Sequence, residues 1–124
     1  MAVIKTIEAE GHRISIEGDG IIRVYSRGHV TKKGIEEVFK LIIELSKGEK
    51  ALIYIDPTEE QSMEPEARKT LKALGEEHCL GMAVLTRKNY AKNIANIIIT
   101  TLQPKFHVKL FTDQSEAVSW LKSL

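Results

Sequence analysis

Cysteine is almost missing from this chain: Cys79 stands alone among 124 residues. One thiol closes no internal disulfide and builds no cysteine-only zinc site. An excess of charge is missing too. Eighteen Lys and Arg stand against 17 Asp and Glu, a net charge of +1. Nucleic-acid binding is not expected without a basic stripe. Long apolar runs are also absent. The longest, Ile94 to Leu102, is too short to span a bilayer and is interrupted by Asn96, Thr100 and Thr101. The start, Met1-Ala2-Val3-Ile4-Lys5, has no cationic stretch ahead of a long apolar one, so it does not read as a signal peptide. The expectation is a cytoplasmic protein without integral membrane association.

What is present suits one folded domain spanning residues 1–124. Hydrophobic residues make up 43% and charged residues 28%, a soluble globular balance at a length that supports one core. No linker, repeat or low-complexity segment divides the chain.

The N-terminal third alternates. Val3 and Ile7, then Ile14 and Ile16, then Ile21, Ile22 and Val24 mark three strands. Glu10-Gly11 and Gly18-Asp19-Gly20 punctuate them, which predicts hairpins. Ile35, Val38, Phe39, Ile42 and Leu45 recur at helical spacing, with Thr31 as N-cap and Gly48 as the stop. Ala51–Ile55 is an apolar strand without polar alternation, so both its faces should be covered. A polar loop should follow, then a helix from Glu64-Pro65 with Ala67, Leu71 and Leu74 on one face, closing at Gly75 or His78. Gly81–Leu85 is the next strand, and Tyr90, Ile94, Ile97 and Thr101 line a helix ended by Pro104. Val108–Phe111 is the last strand. Asp113 and Glu116 then form a capping box for a helix that buries Ala117, Trp120, Leu121 and Leu124. The order predicts an α/β fold: a mixed, largely parallel sheet of about five to six strands, an antiparallel N-terminal edge and four helices.

Several residues are candidates for a site. Asp56 ends a buried strand, where ligands gather on open α/β sheets. It also reads as a plain strand terminator, since Pro57 holds it extended and its carboxylate suits turn N–H groups. Ser62 sits near a helix N-terminus, but four glutamates surround it: Glu59, Glu60, Glu64 and Glu66. Thr86-Arg87-Lys88-Asn89-Tyr90 leads into a helix, with Lys92 one turn in. Cations there oppose the helix dipole, and a bound anion would relieve the conflict. Solvated surface lysines are the plainer reading. His12, His29, His78 and His107 lack the spacing of a helical zinc pair, so no metal is expected. Cys79 reads as core filling. There is no Gly-rich phosphate loop and no nucleophile elbow. A receiver domain needs an acidic pair after its first strand, and the nearest acids, Glu17 and Asp19, lie in a turn. No catalytic residue and no cofactor are expected.

The element order resembles the STAS-like superfamily, in particular its SpoIIAA-like branch of small bacterial proteins related to anti-sigma factor antagonists. Three stretches carry the likeness: Leu52–Asp56 with Glu64-Pro65-Glu66-Ala67-Arg68; Ala83-Val84-Leu85-Thr86 ahead of Asn96; and Leu110-Phe111-Thr112-Asp113 through Trp120-Leu121. The resemblance implies a regulatory module that binds a protein partner. It also implies a phosphoacceptor after the central strand, where related proteins carry an Asp-Ser-Ser-Gly string. Here that string is absent and the loop is longer. Ser62 is the nearest counterpart and Thr58 a weaker one. The expected function is therefore a non-catalytic interaction module, with Asp56, Glu64 and Arg68 on its contact surface. The alternative is a small-ligand module that holds an anion or acyl chain, a lipid included. Its anchors would be Arg87, Lys88, Asn89 and Lys92, beside Ile94 and Ile98. Homodimerisation through the N-terminal edge strand or a helix face is a further expectation.

Overall fold

The structure, a computed structural model, describes residues 3–86 and 105–124. Its elements run β1 (Val3–Ala9), β2 (His12–Glu17), β3 (Ile22–Val30), α1 (Lys32–Leu45), β4 (Ala51–Met63), α2 (Pro65–His78), β5 (Cys79–Leu85), β6 (His107–Phe111) and α3 (Gln114–Lys122). The six strands form one sheet in the order β1-β2-β3-β4-β5-β6. The pairs β1–β2 and β2–β3 are antiparallel, and the other three are parallel.

Local chemistry explains the first hairpins. Glu10 and Gly11 both take positive φ, 49° and 83°, as a two-residue turn whose twist matches its flanking strands. The next turn is held by its own side chain. Asp19 Oδ1 accepts from the Ile21 N–H at 3.1 Å, and its carboxylate grips Arg23 at 3.0 Å. Arg23 also meets Glu17 at 2.8 Å, so a nearly buried guanidinium is paired twice. Its hydrogen bonds to Asp19 hold that carboxyl below the usual range.

Thr31 caps α1 as expected, its hydroxyl accepting from the Gly34 N–H at 3.0 Å. Asp113 caps α3 by accepting from the Ser115 N–H at 2.7 Å. Pro65 opens α2, which runs past Gly75 to His78. Gly75 is buried inside that helix, and a Cβ there would lie 2.6 Å from the Phe106 ring. The missing side chain is what lets α2 approach the start of β6. Leu124 lies beyond α3 and is exposed, where burial was expected.

The sheet is covered on two faces. Ile14, Ile22, Val24, Ile53 and Met82 form one core with α1 and α2, through Val38, Phe39, Ile42 and Ala67. Tyr54 and Ala83, one residue out of step, form the other with Ala117 and Leu121 of α3. Adjacent Ile53 and Tyr54 are 0% and 1% exposed, so β4 is buried on both faces.

Two expectations change. Residues 57–63 form no loop: they extend β4 to 13 residues, paired with β3 as far as Val30↔Met63. A composition of Pro, Thr, Glu and Gln looks like a loop, but β3 is long enough to pair with it. Of the four helices expected, the described residues contain three; the one placed on Tyr90–Thr101 lies outside them.

Truncating Ile53, fully buried in the central strand, should be costly. Ile53→Ala is expected to lower stability by about 2–5 kcal/mol. Leu80→Ala, at an exposed position, should change it by no more than about 0.5 kcal/mol. Urea unfolding of the two variants checks the contrast.

Candidate functional site

Two irregularities in the β3–β4 ladder build the candidate site. Tyr25 pairs with Asp56 and Arg27 with Glu59, so β4 carries one extra residue there. A second shift lies between Gly28↔Glu60 and His29↔Ser62. Bulges reverse the alternation of a strand and re-aim its side chains. Pro57, which cannot donate to a ladder, sits at the first of them.

Beyond the second shift, Ser62 and His29 face each other on the exposed surface. Ser62 Oγ and His29 Nδ1 lie 2.5 Å apart. The far nitrogen of the same ring, Nε2, is 4.0 Å from Glu64 Oε2. Glu64 joins β4 to α2, yet its carboxylate serves the other helix: Oε1 accepts from the Lys32 N–H at 2.7 Å. That N–H belongs to the first turn of α1, which has no partner within its own helix. Ser62, His29 and Glu64 thus connect the end of the central strand to the starts of α1 and α2. Arg68, half-buried one turn into α2, contributes its backbone N–H to the Glu64 carbonyl at 3.2 Å.

The other strand-end candidates lie apart from this cluster. Asp56 Oδ1 accepts from the Thr58 N–H at 3.0 Å and from the Thr58 hydroxyl at 2.6 Å. That is the turn-acceptor role, played here inside a strand. Asp56 and Thr58 line a polar cleft with Arg13, Tyr25, Arg27 and Glu59. The β3 partners of Asp56 and Ser62, Tyr25 and His29, are four ladder steps apart, which sets Asp56 roughly 13 Å from Ser62. Arg87, Lys88, Asn89 and Lys92, with Ile94 and Ile98, lie outside the described residues.

The side chain that sequence reasoning passed over is Glu60. After the first bulge it turns to the α1/α2 face, where it hydrogen-bonds Ser26 and lines an apolar cavity of about 130 Å³ between the sheet and the helices. Burial raises its carboxyl to about 7, with the Ser26 bond pulling weakly the other way. His12 lines the same cavity and is 1% exposed. Burial, then the Arg27 charge, pull its pKa down, with Glu10 opposing. Its Nδ1 accepts from the Arg27 N–H at 3.4 Å, which leaves the ring proton on Nε2. The one hint in the sequence was Pro57, since a strand proline signals a bulge. Cys79 is core filling: 1% exposed, its thiol pushed up to about 12 by burial.

A family model described as a domain of unknown function, DUF7793, matches residues 14–124. The chain belongs to that family. No curated protein matches it. The DUF7793 chain is similar to an uncharacterized protein from the DUF3478 family with a SpoIIAA-like fold, from Shewanella loihica PV-4. The TM-score is 0.63 at 16% sequence identity, over 97% of this chain and 92% of that one. At that identity the likeness shows the fold, and the DUF7793 domain has a SpoIIAA-like fold. Among the described residues, no helix is long and apolar enough to cross a membrane.

Two outcomes follow from this geometry. Glu64→Ala removes the acceptor for the Lys32 N–H and is expected to cost about 0.5–2 kcal/mol. Glu64→Gln keeps an oxygen there and should recover most of it, as measured by thermal denaturation. The second concerns pH. Unfolded Glu60 ionises near 4.5, while the folded chain holds its proton up to about 7. Its contribution to stability is therefore full below pH 4.5 and is lost as pH rises through 7. Glu60→Gln should match the parent near pH 4 and exceed it by about 1–3 kcal/mol at pH 8. His12 acts in the opposite sense, since folding keeps it neutral as pH falls below 6.5. It is common to both proteins and cancels in the difference.

Proposed function

We propose that the DUF7793 protein is a non-catalytic regulatory module that recognises a protein partner through the surface where β4 ends and α1 and α2 begin. The observation that carries this reading is the exposed Ser62–His29 contact beside Glu64, the side chain that caps α1. The SpoIIAA-like fold supports it. A change at Ser62 reaches the starts of two helices without passing through the core. A phosphate there would add a charge of about −1.5 to −2. It would attract the His29 ring and repel the Glu64 carboxylate. It would also compete with Glu64 for the Lys32 N–H at the start of α1, a position that favours anions. Thr58 fits the acceptor role less well, because its hydroxyl already donates to Asp56. The module functions in the cytoplasm without a cofactor. The outer edge of β1, whose described pairing is with β2 alone, offers a route to a homodimer.

The test combines intact-mass measurement of protein from its native cell with affinity capture by the parent, Ser62→Ala and Ser62→Asp. The expected result is a phosphate-sized mass increment lost in Ser62→Ala. One partner protein should also be retained at levels differing by about tenfold or more between Ser62→Ala and Ser62→Asp, a difference of about 1.4 kcal/mol. No partner, or equal capture by all three proteins, refutes the reading.

A further inference from the structure

The cavity under α1 and α2 has a composition that packing alone does not require. Its walls include Val24, Ile55, Met82, Val84 and Phe106, yet among the described residues three polar side chains of the sheet face into it, from β2, β3 and the bulged part of β4. His12 is 1% and Ser26 8% exposed, and Glu60 is half-buried beside them. Burying such groups costs free energy unless each is well partnered. Apolar residues of similar size would fill the space at less cost. The polar groups are gathered at the β2–β3–β4 end, opposite the apolar wall from β5 and the Phe106 ring. An apolar chamber with a few convergent polar groups is the usual form of a small-molecule site.

The geometry points to a binding site for one small neutral molecule, about the size of a single ring, with an apolar body and one hydrogen-bonding group directed at Glu60 and Ser26. Size sets the first limit. A cavity of about 130 Å³ is close to the ~150 Å³ that accommodates benzene in an engineered protein core. Charge sets the second. Among the described residues, Lys72 is the other ionisable lining residue, and its amine is 3.9 Å from Glu76 on its own helix. The amine therefore has a partner on α2, and the buried groups His12 and Glu60 are both biased by burial toward their neutral forms. A neutral ligand avoids desolvating a second ion among them. A hydroxyl suits the site, because it donates to or accepts from Glu60 in either protonation state. This site is separate from the Ser62 surface, and neither reading depends on the other.

Phenol and toluene are matched probes, the same ring with and without a hydroxyl; benzoate and benzylamine supply the charged counterparts. Methyl-resolved NMR titration of the full chain at pH 6 and pH 8 reads occupancy at Met82, Val24 and Val84. Phenol should give saturable shifts at these methyls and bind about three- to tenfold more tightly than toluene, the value of one hydrogen bond. Val84→Phe should fill the space and abolish the shifts. If that variant does not fold, Glu60→Leu decides the matter, because it should retain toluene binding and lose the preference for phenol. Absence of saturable shifts with both neutral probes, equal affinity for phenol and toluene in the parent, or tighter binding of benzoate or benzylamine than of phenol at either pH would overturn the proposal.

Discussion

The parallel pairing of β3 with β4 is the contact on which the rest of the structure depends. It joins the antiparallel N-terminal strands to the parallel C-terminal ones, from Ile22↔Ile53 to Val30↔Met63. Parallel neighbours need a crossover, and α1 supplies it. That places α1 on the face where Ile14, Val24 and Ile53 wait for cover. The first half of the ladder is regular and mostly buried. The second half is irregular, polar and more exposed. Stability and candidate function are divided along one pair of strands.

The division has a physical basis. In the first half, Ile53 lies between Ile22 and Met82, and Ile55 between Val24 and Val84, so a shift of register would expose a buried residue. Past Asp56 the pairing is with β3 alone, because the β4–β5 ladder stops at Ile55↔Val84. With one neighbour gone, β4 can accept an extra residue twice. Each extra residue redirects the side chains that follow. Glu60 is turned into the cavity, and Ser62 is set opposite His29. Neither placement would arise in a regular strand.

Much of this fold was legible from residue chemistry. Both N-terminal turns, the Thr31 and Asp113 caps, the Pro65 start of α2 and the two-sided burial of Ala51–Ile55 all follow from local pattern. Each depends on interactions within a few residues. The extension of β4 was not legible, because Thr58-Glu59-Glu60-Gln61-Ser62 carries no strand signal of its own. It is a strand because β3 is nine residues long and presents unpaired backbone along that stretch. Glu64 is a similar case. Its spacing marked it as the cap of α2, but its carboxylate caps α1, a helix that begins 32 residues earlier.

The amino-acid sequence by itself therefore determined the class of the fold, the starts of its described helices and which strand lies at the centre. Those are set by periodicity, capping and turn chemistry, all short-range. Tertiary structure alone decided which side chains meet. His29 and Ser62 are 33 residues apart, and His12, Ser26 and Glu60 come from three different strands. Their meeting depends on the register of β3 against β4, and two bulges reset that register after the last residue whose burial could be read from the pattern.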